Sequence, residues 1–119
     1  MHQFRRLDVW RDAVDLATRI YRLTGSYPSD ERYGLTTQMR RAVVSVSSNI
    51  AEGAGRGSSK EMARFLRMAI GSICELESQL EVSRKLGFAS DDVEELTSNA
   101  SLLKARIKTL EDHLLIPHT

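Results

Sequence analysis

A single cysteine, two prolines and seven aromatic side chains in 119 residues put several classes of protein out of reach. Cys74 has no second thiol with which to close an internal disulfide, and no Cys/His spacing resembles a zinc site. Disulfide scaffolds and zinc modules are excluded, and a reducing cytoplasm is the expected compartment. Pro28 and Pro117 both fall near helix boundaries, and 41% hydrophobic with 28% charged residues is too apolar a mixture for a disordered chain. No apolar run approaches the length that spans a bilayer, so no membrane association is expected. Residues 1–12 carry Arg5 and Arg6 without a following apolar stretch or a small-residue cleavage site, so no signal peptide is expected there.

What remains is helical. A chain of 119 residues is expected to form one domain, residues 1–119, that buries roughly two thirds of its unfolded surface around a single core. In the first segment, residues 8–24, Val9, Ala13, Leu16, Ile20 and Leu23 recur at steps of four and three, which is one helix face. Trp10, Val14, Ala17 and Tyr21 form a second stripe beside it, so the apolar arc is wider than one core contact needs. Gly25 is expected to end this helix in a left-handed cap.

The second helix is expected over residues 30–52, capped by Ser29 and with Asp30 and Glu31 at the positive end of its dipole. Its stripe is Leu35, Met39, Ala42 or Val43, Val46 and Ile50; the β-branched run Val43–Val46 obeys helical rather than strand spacing. Gly53, Gly55 and Gly57 are expected to break it. The third helix, residues 59–86, opens with a capping box, Ser58 before Glu61, and carries Met62, Leu66, Ala69, Ile73, Leu76 and Leu80. The fourth, residues 91–115, repeats every seven positions through Val93, Leu96, Ala100, Leu103, Ile107, Leu110 and Leu114, the pattern of nearly parallel, left-handed packing. Short connections between long helices force antiparallel neighbours. The expected fold is all-α, an antiparallel up-down-up-down four-helix bundle.

Charge is near balance at +1, yet residues 1–67 hold 12 basic against 7 acidic side chains and residues 68–119 hold 5 against 9. That asymmetry serves a phosphate-facing surface or head-to-tail subunit contacts equally well. Arg40, Arg41, Arg56, Lys60, Arg64 and Arg67 are the candidate nucleic-acid-binding residues, clustered around the turn between helices two and three, although Arg40 and Arg41 lie about three turns from that end of helix two. The competing reading is solvated surface charge, with ion pairs to Glu52, Glu61, Glu75 or Glu77. No aromatic residues are interleaved with these arginines, so base stacking on single strands has no support.

The glycine turn is not a nucleotide loop, because it follows a helix and lacks the Gly-Lys-Ser/Thr ending. Gln38, Ser45 and Asn49 form a polar stripe that either fixes register and joins subunits or faces water. Glu75 and Glu77 sit near the core seam of helix three. His2, His113 and His118 lie at the chain ends, none three residues after a glutamate, so a carboxylate–histidine metal pair is not expected. Neither Ser nor Cys has a base in any catalytic motif, and Cys74 reads as a small packing residue. No catalytic residue, cofactor, metal or small-molecule substrate is expected.

The ordered set Phe4, Leu7, Trp10, Tyr21, Pro28, Gly34-Leu35, Gln38-Met39-Arg40-Arg41-Ala42, Asn49-Ile50-Ala51-Glu52-Gly53, Arg56, Phe65-Leu66, Gly71-Ser72 and Glu75-Leu76-Glu77 resembles a family over nearly the whole chain. That family comprises the four-helix-bundle proteins associated with intervening sequences in bacterial 23S ribosomal RNA genes. It includes the accessory variability determinants of diversity-generating retroelements, basic partners of a reverse transcriptase and its RNA. The resemblance implies a cytoplasmic subunit of a ring-shaped homopentamer. The near-neutral charge of this chain departs from the strongly basic accessory proteins. The reading reached is a non-enzymatic homo-oligomer presenting a multivalent surface, with Trp10, Val14, Tyr21, Gln38 and Asn49 as candidate subunit-interface residues. The alternative is binding of structured RNA through the basic residues, or of a nucleic-acid enzyme as its adaptor.

Overall fold

The computed structural model describes residues 4–117 and places four helices in chain order: α1, Asp8–Thr24; α2, Leu35–Ala54; α3, Ser59–Leu86; α4, Ser90–Leu114. Short 3₁₀ turns at Phe4–Arg6 and Ser29–Glu31 precede α1 and α2. Each helix packs on its sequence neighbours and α1 closes against α4, with no close backbone approach across either diagonal among the described residues. The result is an all-α antiparallel up-down-up-down bundle measuring 53 × 20 × 19 Å.

The apolar periods become one core. Val9, Ala13, Leu16, Ile20 and Leu23 of α1 meet Met39, Ala42, Val43, Val46 and Ile50 of α2, and both meet the buried stripes of α3 and α4. Leu35, Leu110 and Leu114 pack only partly buried on its margins. Each fully buried leucine or isoleucine contributes roughly 1.5–3 kcal/mol by leaving water, which is why the spacing of threes and fours decides the fold ahead of local propensity.

Three end signals resolve differently from the sequence expectation. Ser29 does not cap α2: it begins a 3₁₀ turn, and α2 starts at Leu35 after Gly34, whose φ −114° and ψ −112° lie outside helical space. The Thr37 hydroxyl donates to the Arg32 carbonyl, holding the chain in that turn before the helix begins. Gly25 is right-handed at φ −61°, so α1 closes without a left-handed cap. Gly53 stays helical, because α2 continues to Ala54 and reverses only at Gly55–Ser58, with Gly57 at φ 83°. The cap at Ser58 forms as expected, its hydroxyl accepting from the Glu61 amide at 3.1 Å. Gly87 ends α3 in the left-handed region at φ 77°.

Both connections at the far end of the bundle are tied together. Tyr27, buried in the α1–α2 connection, donates its hydroxyl to Ser83 Oγ at 2.6 Å, and its ring lies 5.1 Å from that of Phe88 in the α3–α4 turn. Ser83 in turn donates to the Gln79 carbonyl at 3.0 Å.

Glu77 joins α3 to α4, accepting from Lys104 Nζ at 2.6 Å and from Ser101 Oγ at 2.7 Å. Desolvation pushes its carboxyl up, but the hydrogen bonds from Lys104 and Ser101 outweigh it and hold the group below the ordinary carboxylate range. A depressed folded-state pKa stabilises the fold at pH values above the unfolded value, about 4.3, and that contribution is lost as pH falls through the folded value. Glu77→Gln is therefore expected to cost about 1 kcal/mol at neutral pH. Urea unfolding of both proteins should show the difference shrinking as the pH falls below about 4.3 and through the lowered folded-state value.

Candidate interaction surface

The second stripe of α1 stays at the surface. Trp10 leans edge-on against Phe4, ring centroids 5.1 Å apart, and remains only half-buried, as do Val14 and Ala17. Tyr21 is 45% exposed, and Val44 on the neighbouring α2 is 40% exposed. Tyr21, Val44, Thr37, Arg40 and Arg41 surround an open groove of about 460 Å³ between the two helices. Large apolar side chains in adjacent, solvent-facing positions on two helices are characteristic of an interaction face.

Arg40 is built into this face. Its Nε donates to Thr24 Oγ1 at 2.9 Å and its Nη2 to the Tyr21 carbonyl at 3.1 Å, while the guanidinium lies 4.6 Å from the Tyr21 ring centroid. A cation at the last turn of α1 meets the negative end of that helix, so the position is favoured twice. Arg41 is exposed and forms no ion pair among the described residues.

Arg56, Lys60 and Arg64 do gather at the α2–α3 turn. Arg56 pairs with Glu52 at 3.0 Å and Arg64 with Glu61 at 2.9 Å. Both guanidiniums cover the Phe65 ring, at 4.8 and 4.7 Å from its centroid. The hydrogen bond from Arg64 holds the Glu61 carboxyl below its usual range, and Glu61 holds Arg64 above its own. Arg67 leaves the cluster to meet Glu111 of α4 at 2.9 Å. The six arginine and lysine candidates thus occupy three places: the α1–α2 groove, the α2–α3 turn and the α3–α4 seam.

Of the polar stripe, Asn49 donates to the Ser45 carbonyl at 2.8 Å and to its hydroxyl at 3.0 Å, and Ser72 of α3 donates to Ser45 Oγ at 2.9 Å. Asn49 therefore helps fix α2 against α3 within one subunit, while Gln38 is exposed. Glu75 is exposed as well. Cys74 is not a packing residue: it faces solvent, because Ile73 and Leu76 already occupy the inward positions of that turn. His113 is exposed on the last turn of α4, and His2 and His118 lie outside the described residues.

Glu111 escaped the sequence reading. Only 3% of it is exposed, with Arg67 and Lys108 as its partners, and its place four residues after buried Ile107 was the available signal. Among the described residues, no three His, Cys, Asp or Glu side chains converge as metal ligands do, and no helix is long and apolar enough to cross a membrane.

The family model described as 23S rRNA-intervening sequence protein matches residues 5–109. A crystal structure of a protein with unknown function from the S23 ribosomal protein family of Bacteroides thetaiotaomicron VPI-5482 has the same fold, with a TM-score of 0.74 at 19% identity, covering 91% of this chain and 99% of that one. No curated protein matches the chain.

Proposed function

We propose that this chain, which belongs to the 23S rRNA-intervening sequence protein family, works in the cytoplasm as a non-enzymatic homo-oligomer, a ring-shaped pentamer whose repeated subunits present a multivalent binding surface. The observation that carries this reading is the uncovered face of α1 and α2. Trp10, Val14 and Ala17 are left half-buried beside an exposed Tyr21 and Val44, and a copy of the same chain supplies the missing cover. Repetition around a ring then lets sites that are weak singly act together on one extended partner.

Size-exclusion chromatography with light scattering tests the assembly. The expected species has five times the 13.4 kDa protomer mass, and Tyr21→Glu combined with Val44→Glu is expected to release folded protomers. A wild-type monomer at micromolar concentration would sink the proposal.

A second reading, binding of structured RNA or of an acidic nucleic-acid enzyme, is favoured by one local feature. Residues 52–67 carry four basic side chains against two acidic ones, beside the amino end of α3. Contact with a nucleic-acid duplex predicts affinity that falls with log salt by about 0.9 per neutralised phosphate. Affinity that ignores salt, or that survives Arg56→Gln, Lys60→Gln and Arg64→Gln together, argues against this reading. Capture of a protein from nuclease-treated lysate that depends on the same three residues favours the adaptor form over the RNA form.

A further inference from the structure

The bundle carries two uncovered apolar faces of opposite charge. On the first, the α1–α2 groove, Arg40 and Arg41 are the charged lining residues and no carboxylate accompanies them. Arg40 directs its guanidinium to Thr24 Oγ1 and the Tyr21 carbonyl, neither of which is an anion. Arg41 has no ion-pair partner among the described residues. The groove therefore favours an occupant that brings a negative group within an apolar surface.

The second face is the outer side of α3. Met68, Glu75, Val82 and Leu86 follow at steps of seven, seven and four, which sets them on one side of the helix. The three apolar members are exposed. Glu75 is exposed too and forms no ion pair among the described residues. On α4, by contrast, Leu102 is the one large apolar side chain left exposed among the described helical residues.

The two faces also stand at one height. Ser72 Oγ donates to Ser45 Oγ at 2.9 Å, which fixes the level of α3 against α2. Arg41 lies four residues before Ser45 and Glu75 three residues after Ser72. Because α2 and α3 are antiparallel, both stand about one turn further towards the same end of the bundle. A closed ring of upright bundles adds no rise between subunits, so groups at equal height meet around it. The apolar spacing agrees as well: Tyr21 to Val14 on α1 and Glu75 to Met68 on α3 are each seven residues, about 10.5 Å, in the same direction.

We infer that the α1–α2 groove of one subunit takes the outer stripe of α3 from the next, with Glu75 of the partner subunit on Arg41 and Met68 of the partner subunit over Val14. This contact rests on the homo-oligomer proposed above and names the joint that builds it. It is a head-to-tail contact of a helix laid in a groove. The groove and the stripe belong to adjacent sides of the bundle, so successive joints turn instead of running straight, which is the condition for a ring.

Light scattering across a series of protomer concentrations tests the joint by charge exchange. Arg41→Glu or Glu75→Arg alone is expected to raise the concentration for half-assembly by at least about ten-fold. Circular dichroism is expected to stay unchanged, since both positions are exposed. Mixing the two single variants is expected to restore assembly, because each then offers the charge that the other's joint lacks. A wild-type monomer removes the homo-oligomer reading itself. A wild-type oligomer that is indifferent to either substitution leaves that reading standing and overturns this contact. Recovery in a chain carrying both substitutions, without recovery on mixing, places the pair inside one protomer and overturns it as well.

Discussion

Gly53→Val is expected to lower the stability of the bundle by about 3 kcal/mol, and with it the melting temperature by roughly 10–15 °C. A β-carbon at Gly53 would lie 2.7 Å from Phe65 Cβ and 3.3 Å from the Met62 carbonyl oxygen. Neither neighbour is the free end of a flexible side chain. Both belong to the first turns of α3, so the two helices must move apart where Ala54, Met62 and Leu66 close the core. Gly53→Ala sets the same clash against a gain in helix propensity of up to about 1 kcal/mol, and is expected to cost about 1–2 kcal/mol net. Gly71 supplies the control. It is helical and exposed, with open space where a side chain would stand, so Gly71→Ala is expected to stabilise by about 0.5–1 kcal/mol. Thermal and urea unfolding of the three variants checks the pattern. A Gly53→Val protein as stable as wild type would mean that α2 and α3 do not approach this closely.

Leu76→Ala is expected to cost about 3–4 kcal/mol. Leu76 is completely buried midway along α3, and the helices around it cannot collapse freely into the space that a deleted side chain leaves. Leu102→Ala removes the same atoms from a side chain that is 60% exposed and is expected to change stability by no more than about 0.5 kcal/mol. The difference between the two chevron or urea-midpoint shifts separates a buried stripe from a solvent-facing one on helices of the same bundle. Equal losses would contradict the placement of these stripes.

The inward residues were legible because helical period is a local property. From Val9 to Leu23 on α1 and from Met62 to Leu80 on α3, each residue expected in the core is buried. The bounds of α3 were legible too, since Ser58 and Gly87 supply a cap at either end. Those of α2 were not. Ser29, Asp30 and Glu31 form a plausible helix start, yet a 3₁₀ turn and the Thr37 to Arg32 hydrogen bond occupy that stretch. Nothing local distinguishes these alternatives, because both use the same residue types.

The exposure of the candidate surfaces was partly legible, whereas the contacts their side chains make were not. A surplus stripe on α1 was expected, and Tyr21 does remain exposed. Arg40 reaches the Tyr21 carbonyl of α1 and Arg67 reaches Glu111 of α4, contacts that spacing within α2 and α3 does not specify. Within the protomer Asn49 bonds to Ser45 of its own helix, and Ser45 passes the link on to Ser72 of α3, a contact that the polar stripe alone does not specify.

Periodicity, capping residues and short connections were sufficient to specify four antiparallel helices and the residues they turn inward, because each of these signals acts within a few turns of chain. Packing alone decided that Gly53 would be pressed against Phe65, that Glu111 would be buried under Arg67, and that Asp12 would reach Arg106, 94 residues away. Those outcomes depend on how whole helices lie beside one another, and spacing within any one helix carries no information about its neighbour's register.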